Sequence, residues 1–345
     1  MSEQNSPQSS AAAGELAAAP LNACVVGVGH LGRHHARILA DMPDVNLLAV
    51  VDADANRGQE MASLYDCEYQ SEVGDLLDQV DFAVIAVPTV LHRECAAPFL
   101  KAGKACLIEK PMAPDVATCE AILADAEEGG AMVGVGHVER FNPAVQRARE
   151  LGIQPRFIEA HRLAPYSFRS TDVGVVLDLM IHDIDLCLAW IGRPVVSVDA
   201  VGGSTLSPSE DIVSARLRFE GGAVANLTAS RLSLKPMRRF RFFGPDSYVS
   251  IDSQDRYSLL VRKSKDFSPE KVAEAAASAN PLEGFQSLLD LEELKLEEAE
   301  PLRAELEAFT DAVRNGTEHE VSGKDGRDNV VVAYQVLASL EDSGW

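Results

Sequence analysis

Three constellations of residues carry chemistry. The first is Gly27-Val28-Gly29-His30-Leu31-Gly32, the pattern GxGxxG, set between an apolar run and a helical one. Glycines at this spacing allow a tight turn, let the backbone approach a pyrophosphate, and let the helix pack close to the strand. The helix N-terminus adds free N–H groups and a partial positive charge. Asp52 closes the next apolar run, twenty residues after Gly32. A carboxylate there accepts hydrogen bonds from the adenosine ribose hydroxyls and repels a 2′-phosphate, so NAD is expected in preference to NADP. Arg33 and Arg57 lie near enough in sequence to leave NADP open. Asp is also a good N-cap, so Asp52 is expected to start the following helix as well.

The second constellation is Glu109-Lys110-Pro111, at the end of another apolar run. An ammonium at the carboxyl end of a parallel strand points into the ligand crevice, whereas a lysine beside a glutamate elsewhere is an ordinary solvated pair. The third runs from Asp178 through His182 and Asp183 to Asp185. On a helix Asp178, His182 and Asp185 fall at i, i+4 and i+7, one face of an otherwise apolar stripe, with Asp183 pointing elsewhere. Burying such groups unpaired is costly. The pattern is open between a His–Asp pair tying the helix to a sheet, a metal site whose remaining ligands are not evident, and a reaction centre.

These groups must be positioned by regular elements. Short apolar runs over 22–28, 46–51, 82–87, 105–108 and 131–135 alternate with helical patterns over 34–40, 53–65, 91–102 and 116–128. That alternation predicts a doubly wound α/β Rossmann domain with a parallel sheet buried on both faces. The run over 82–87 leads into Pro88-Thr89 and then His92, so this loop is expected to border the cofactor together with His30, Leu31, Glu109 and Lys110, the last reaching the nicotinamide ring. After Phe141 the pattern changes: a helix over 143–151, an extended run over 156–163 and a helix over 175–191. Strand-like runs then follow over 195–201, 212–219, 223–231, 238–243 and 248–251, broken by Gly-Gly and Pro/Ser clusters. Residues 263–298 are polar and acidic and read as an irregular excursion, before helices over 301–314 and 328–340. The expected organisation is a disordered tail over 1–20, an NAD-binding domain over 21–140, and a C-terminal α+β domain over 141–345. That second domain carries a mostly antiparallel open sheet, and its last helices pack back on the first. An open sheet face needs a cover, so a homodimer or homotetramer is expected.

Composition excludes several classes. The 345 residues carry 31 Lys+Arg against 53 Asp+Glu, a net charge of −22, which argues against nucleic acid or an anionic membrane as partner. No stretch of about eighteen apolar residues occurs, and the Ala/Ser-rich start lacks the basic and apolar regions of a secretory signal, so the cytoplasm is expected. The cysteines Cys24, Cys67, Cys95, Cys106, Cys119 and Cys187 form no CxxC and read as reduced, mostly buried thiols with no metal.

Taken together, GVGHLG, EKP near residue 110 and DxxxHxxD in the second half resemble the Gfo/Idh/MocA family of sugar and cyclitol dehydrogenases. The likeness runs from Leu21 to Leu340 and includes Glu300-Pro301-Leu302 and Glu305-Leu306-Glu307-Ala308-Phe309. It departs at Met180, where many members carry glycine, and in lacking a glycine-rich lead-in before Asp178. The resemblance implies a reaction centre lined by Lys110, Asp178 and His182. Oxidising a secondary alcohol requires hydride departure and removal of the hydroxyl proton. An imidazole suits the base role, and an ammonium stabilises the developing alkoxide. Either His182 or Lys110 is left as the formal base, and Asp178 is expected to hold the His182 ring or a neighbouring sugar hydroxyl.

Within the family, Gly136-His137-Val138-Glu139-Arg140-Phe141-Asn142-Pro143 is similar to members acting on nucleotide-linked amino sugars. That implies oxidation of the 3-hydroxyl of UDP-N-acetylglucosamine and a pyridoxal-dependent aminotransferase that consumes the ketone on a route to lipid A. The alternatives are a dehydrogenase of UDP-N-acetylglucosaminuronic acid, one of a free sugar or inositol, and a non-catalytic NAD-binding scaffold or sensor. A diphosphate on so acidic a chain needs local cations: Arg140, Arg162 and Arg169 are the candidates, with Asn142 and Asp185 completing the substrate set. Arg238-Arg239-Phe240-Arg241 reads as a solvated sheet face or a subunit contact.

Overall fold

The computed structural model describes residues 19–166, 173–254, 257–294 and 299–341. Arg169 and most of the expected tail lie outside these residues.

The first sheet contains β1 (Leu21–Val26), β2 (Val45–Val51), β3 (Glu68–Gln70), β4 (Phe82–Ile85), β5 (Ala105–Glu109) and β6 (Val133–Gly136). They lie in the order β3-β2-β1-β4-β5-β6, and each neighbouring pair is parallel. The apolar segments FAVI of β4 and ACLIE of β5 are buried throughout, as strands covered on both faces require. The covering helices include α1 (Gly32–Asp41), α2 (Ala55–Tyr65), α3 (His92–Lys101) and α4 (Val116–Gly129). The sequence does not foreshadow β3, whose three residues Glu-Tyr-Gln show no apolar run. The cap of α2 is Asp54, whose side chain accepts from Asn56 N and Arg57 N, and not Asp52 as expected. Asp52 is instead turned inward, at 5% exposure.

The second sheet has β7 (Phe157–Leu163), β8 (Val195–Gly203), β9 (Ile212–Phe219), β10 (Val224–Ser230), β11 (Met237–Phe243), β12 (Ser247–Asp252), β13 (Tyr257–Lys263) and β14 (Leu289–Glu293). Its order is β14-β13-β12-β11-β7-β10-β9-β8, antiparallel except where β7 pairs with β10. The helices of this half are α5 (Pro143–Glu150), α6 (Ile181–Ile191), α7 (Pro269–Ala277), α8 (Pro281–Gln286), α9 (Pro301–Asn315) and α10 (Gly323–Glu341). The described part of the polar stretch, residues 263–294, is therefore ordered into α7, α8 and β14, and residues 295–298 lie outside the described residues. Ser268 caps α7 with a proline in its first turn, and β14 is mostly exposed and pairs through its backbone. Its polarity marks exposure, not irregularity. The last helix starts at Gly323, ahead of the expected 328, because Ser322 and Asp325 cap each other: Ser322 N donates to Asp325 Oδ2 at 2.9 Å and Asp325 N to Ser322 Oγ at 3.2 Å.

Two apolar layers hold the halves together. α9 lies on the first sheet, with Phe309 edge-on to Phe82 at 5.5 Å, both fully buried. The larger core joins the other face of that sheet to α6, α10 and the inner face of the second sheet. Along β9 the buried residues Val213, Ala215, Leu217 and Phe219 alternate with exposed Ser214, Arg216 and Arg218. The outer face of the second sheet is thus polar and only partly covered among the described residues. No helix of the described residues is long and apolar enough to cross a membrane.

Candidate active site

The three glycines of the first motif each have a separate steric reason. Gly27 has φ +85°, in the left-handed region, and a Cβ there would meet Ala86 O at 2.8 Å. A Cβ on Gly32 would stand 1.8 Å from Gly27 O, so only glycine lets α1 leave the turn at this angle. A Cβ on Gly29 would meet nothing within 4 Å. The open side of Gly29 faces a cavity of about 460 Å³ lined by Val28, Gly29, His30, Arg33, Arg57, Glu60 and Met61. Asp52 ends β2 beside it, with Oδ2 accepting from Val28 N at 2.9 Å and Oδ1 from Asp54 N at 2.8 Å. Burial opposes charge on Asp52, but hydrogen bonds from Arg57, Asp54 N and Val28 N prevail and hold its pKa below the ordinary value. A backbone cradle open at Gly29, a helix N-terminus and an ionised carboxylate are what a dinucleotide needs, so these residues fit NAD. His30 lines this cavity, while Leu31 and Pro88 beyond β4 are exposed and Thr89 is half-buried.

Two expected cofactor ligands turn away from the cavity. His92 is buried, its ring nitrogens 3.0 Å from Val87 O and 3.2 Å from Met112 O, so it braces the loop after β4 against the turn after β5. Glu109 is buried too: its Oε1 meets His35 Nε2 on α1 at 2.7 Å and its Oε2 accepts from Lys110 N at 3.2 Å. Both fix the strand ends. Sequence position alone could not separate bracing from binding, because both roles place a polar residue there.

Lys110, at the end of β5, reaches across to the second half of the chain. Its Nζ donates to Asp178 O at 2.8 Å and lies 3.3 Å from Asp178 Oδ1. Residues Val176–Met180 form a π-helical turn before α6. Of the residues expected to share one stripe, Asp178 meets Lys110 while Asp185 is buried in a pair with Arg140. Asp178 holds Lys110 and makes no hydrogen bond to the His182 ring among the described residues. His182 is half-buried, with Nδ1 buried and unpartnered there. Its ring packs edge-on to His137 at 6.3 Å. Burial first, then the charges of Lys110 and Arg162, drives the His182 pKa well below its ordinary value, so the imidazole is neutral at pH 7.

The residues expected to bind substrate are mostly spent elsewhere. Arg140 makes a bidentate pair with Asp185, at 2.8 and 2.6 Å, and both are buried. Arg162 pairs with Asp183 at 2.9 Å and with Glu139 at 2.9 Å, again out of solvent. Asn142 caps α5 by accepting from Ala144 N at 3.0 Å. These arginines compensate buried carboxylates, which their types alone could not disclose. Asn329 was missed: its Nδ2 donates to Asp185 Oδ1 at 2.7 Å and to His137 Nε2 at 3.1 Å. It fastens α10 beneath the His137–His182 pair from 192 positions away, a separation that no local pattern reveals.

Arg238 behaves differently from its neighbours. On β11 Arg239 pairs with Asp252 and Arg241 with Glu159. Arg238 sits on the same side of the strand as buried Phe240 and Phe242, opposite Arg162 in register. It is exposed, makes no ion pair among the described residues, and its charge reaches His182, Glu139 and Asp183.

Residues 21–137 match the model of the GFO/IDH/MocA oxidoreductase family, NAD-binding Rossmann fold, and residues 153–249 match that of the GFO/IDH/MocA C-terminal domain. UDP-N-acetylglucosamine 3-dehydrogenase of Acidithiobacillus ferrooxidans is 36% identical over 318 residues, covering 92% of this chain and 96% of that protein. A solved structure of that enzyme superposes with a TM-score of 0.84 at 34% identity, covering 94% of this chain and 98% of the other. Inositol 2-dehydrogenase of Rhizobium meliloti is 24% identical over 334 residues, covering 92% of this chain and 96% of its own. Levoglucosan dehydrogenase in complex with NADH shares the fold, with a TM-score of 0.80 at 19% identity over 94% of this chain and 98% of that one. With its glycine cradle, its Asp52 and these similarities along nearly its whole length, the chain belongs to the Gfo/Idh/MocA family as an NAD-dependent oxidoreductase.

Proposed function

We propose that the chain oxidises the 3-hydroxyl of UDP-N-acetylglucosamine, with Lys110, Asp178 and His182 as the reaction centre. The observation that carries the chemistry is the contact of Lys110 Nζ with Asp178 beside a neutral His182. Bound NAD supplies the acceptor for the hydride. Asp178 fixes the ammonium of Lys110 so that it can hold the substrate oxygen and stabilise the charge that develops on it. Because Nδ1 of His182 is buried, Nε2 is the atom that takes the hydroxyl proton. His137 and Asn329 hold the ring from behind. The substrate assignment is supported by the 36% identity to UDP-N-acetylglucosamine 3-dehydrogenase.

A diphosphate needs a cation that Arg140 and Arg162 do not offer, and Arg238 takes that role. The remaining parts of the reading follow from the same assignment. The chain works as two domains, 21–140 and 141–345, assembled as a homodimer or homotetramer through the outer face of the second sheet. It acts in the cytoplasm, where a pyridoxal-dependent aminotransferase consumes the ketone on a route to lipid A.

The test is cofactor reduction with UDP-N-acetylglucosamine, UDP-N-acetylglucosaminuronic acid, UDP-glucose and myo-inositol, each with a ketone trap because alcohol oxidation by NAD is uphill. Turnover with the first sugar supports the reading. Turnover only with another replaces the substrate and retains the reaction centre.

A further inference from the structure

The carboxylate that should receive the adenosine ribose has no acceptor site left. A carboxylate offers about four lone-pair sites on its two oxygens. On Asp52, Oδ2 accepts from Val28 N at 2.9 Å and Arg57 Nε at 3.0 Å, while Oδ1 accepts from Asp54 N at 2.8 Å and Arg57 Nη2 at 2.7 Å. Val28 N belongs to the glycine turn and Asp54 N to the junction with α2, so neither can leave without dismantling the cradle. A ribose diol that donates two O–H groups to Asp52 therefore competes with Arg57. The arginine is free to yield: its side chain is 46% exposed and already lines the cavity. It also has somewhere to go. Asp54 Oδ2 stands 3.7 Å from Arg57 Nη1, and Asp54 is 49% exposed while its other oxygen caps α2.

We propose that Arg57 is a latch on the ribose site: in the free protein it fills the acceptor positions of Asp52, and on cofactor binding it passes to Asp54. Arg57 thereby sets cofactor affinity from two sides. It lowers affinity for NAD by the ion pair that must break, and it places a cation where a 2′-phosphate would lie, softening the rejection of NADP by Asp52. The inference rests on the cofactor site alone, so its outcome leaves the sugar assignment untouched.

Calorimetric titration with NAD and with NADP, without any sugar, tests this. In Arg57→Ala, NAD should bind about two- to fivefold tighter, the scale of one partly exposed ion pair, while NADP binds more weakly than to the parent. Asp54→Asn keeps the cap, since Asn caps as well as Asp, but loses the charge that receives the arginine. It should weaken NAD about two- to fivefold, and the same change in an Arg57→Ala background should have no effect. Equal weakening of NAD and NADP in Arg57→Ala would show that Arg57 only orients Asp52, and unchanged NAD affinity would show that no pair has to break. Either result overturns the latch, as does an Asp54→Asn effect that persists without Arg57.

Discussion

In the proposed reaction centre Lys110 and His182 divide the work at the residue scale, one by charge and one by lack of it. The ammonium is tied to Asp178, and its field is among the causes that keep the His182 imidazole deprotonated. His182→Ala and Lys110→Ala should each lower kcat by about 10²–10⁴-fold while NAD binding, followed by fluorescence, stays near that of the parent. Strong residual turnover in both would remove the reaction centre from these residues. The pH profile has a definite sign. Because the folded pKa of His182 lies well below 6.5, a His182 base would be in its working form throughout the neutral range. The acid limb of kcat/KM should accordingly fall at a pH below 6.5, and a limb above it would exclude His182 as base. Arg238 invites a different reading. Arg238→Ala should raise KM for a UDP-sugar about tenfold or more, the scale of a lost charge-assisted contact, with little change in kcat. An unchanged KM would return Arg238 to a solvated surface.

At the scale of elements, the turn between β1 and α1 leaves no room for a side chain at two of its three glycines. Gly32→Ala would drive a methyl to 1.8 Å from Gly27 O, so the helix has to move before anything can bind. A cost of about 1–3 kcal/mol is expected in denaturant unfolding, together with loss of NAD binding. A Gly29→Ala protein, whose added methyl meets no protein atom, should keep its stability and lose affinity alone. The pair separates the fold's need for glycine from the ligand's. This motif was legible in the sequence because its requirements are local: a positive φ, a close helix and an open backbone all fall within six residues. From its spacing alone the DxxxHxxD segment warned only that polar groups needed partners, and it was the family resemblance that pointed to Asp178 and His182 as a reaction centre. Its geometry depends on the π-helical turn at Val176–Met180, which the spacing of residues does not announce.

At the scale of the whole molecule, one buried carboxyl lies near groups of both halves, Glu109 and Asp185, and stands apart from the buried pairs around it. Glu305 on α9 is fully buried, and neither carboxylate oxygen has a partner among the described residues. Burial first, then the nearby charges of Glu109 and Asp185, raises its pKa well above 4.5. For a carboxyl raised in the fold, the folded form keeps a proton that the unfolded chain releases above its own pKa. That linkage leaves stability intact below about pH 4.5 and erodes it as pH rises toward the folded value. Glu305→Gln should therefore raise the melting temperature at pH 7 to 8, with the gain shrinking toward pH 4. A substitution that destabilises at every pH would mean that the carboxyl is paired and ionised.

Read from sequence alone, the chain already declares a parallel sheet opening with a dinucleotide turn, an acidic residue, Asp52, where the second strand ends, and a lysine at the end of β5. Each of these is written in short-range pattern: runs buried on both faces, glycine spacing, and a polar residue where an apolar run stops. The assignment of Arg140, Arg162 and Asp185 to buried pairs, the exposure of Arg238 without an ion pair among the described residues, the service of Asn329 behind His137, and the saturation of Asp52 by Arg57 required the folded structure. An arginine has the same letter whether it neutralises a buried carboxylate or awaits a phosphate. Only the distance to its partner, set by packing between segments up to 192 residues apart, separates the two.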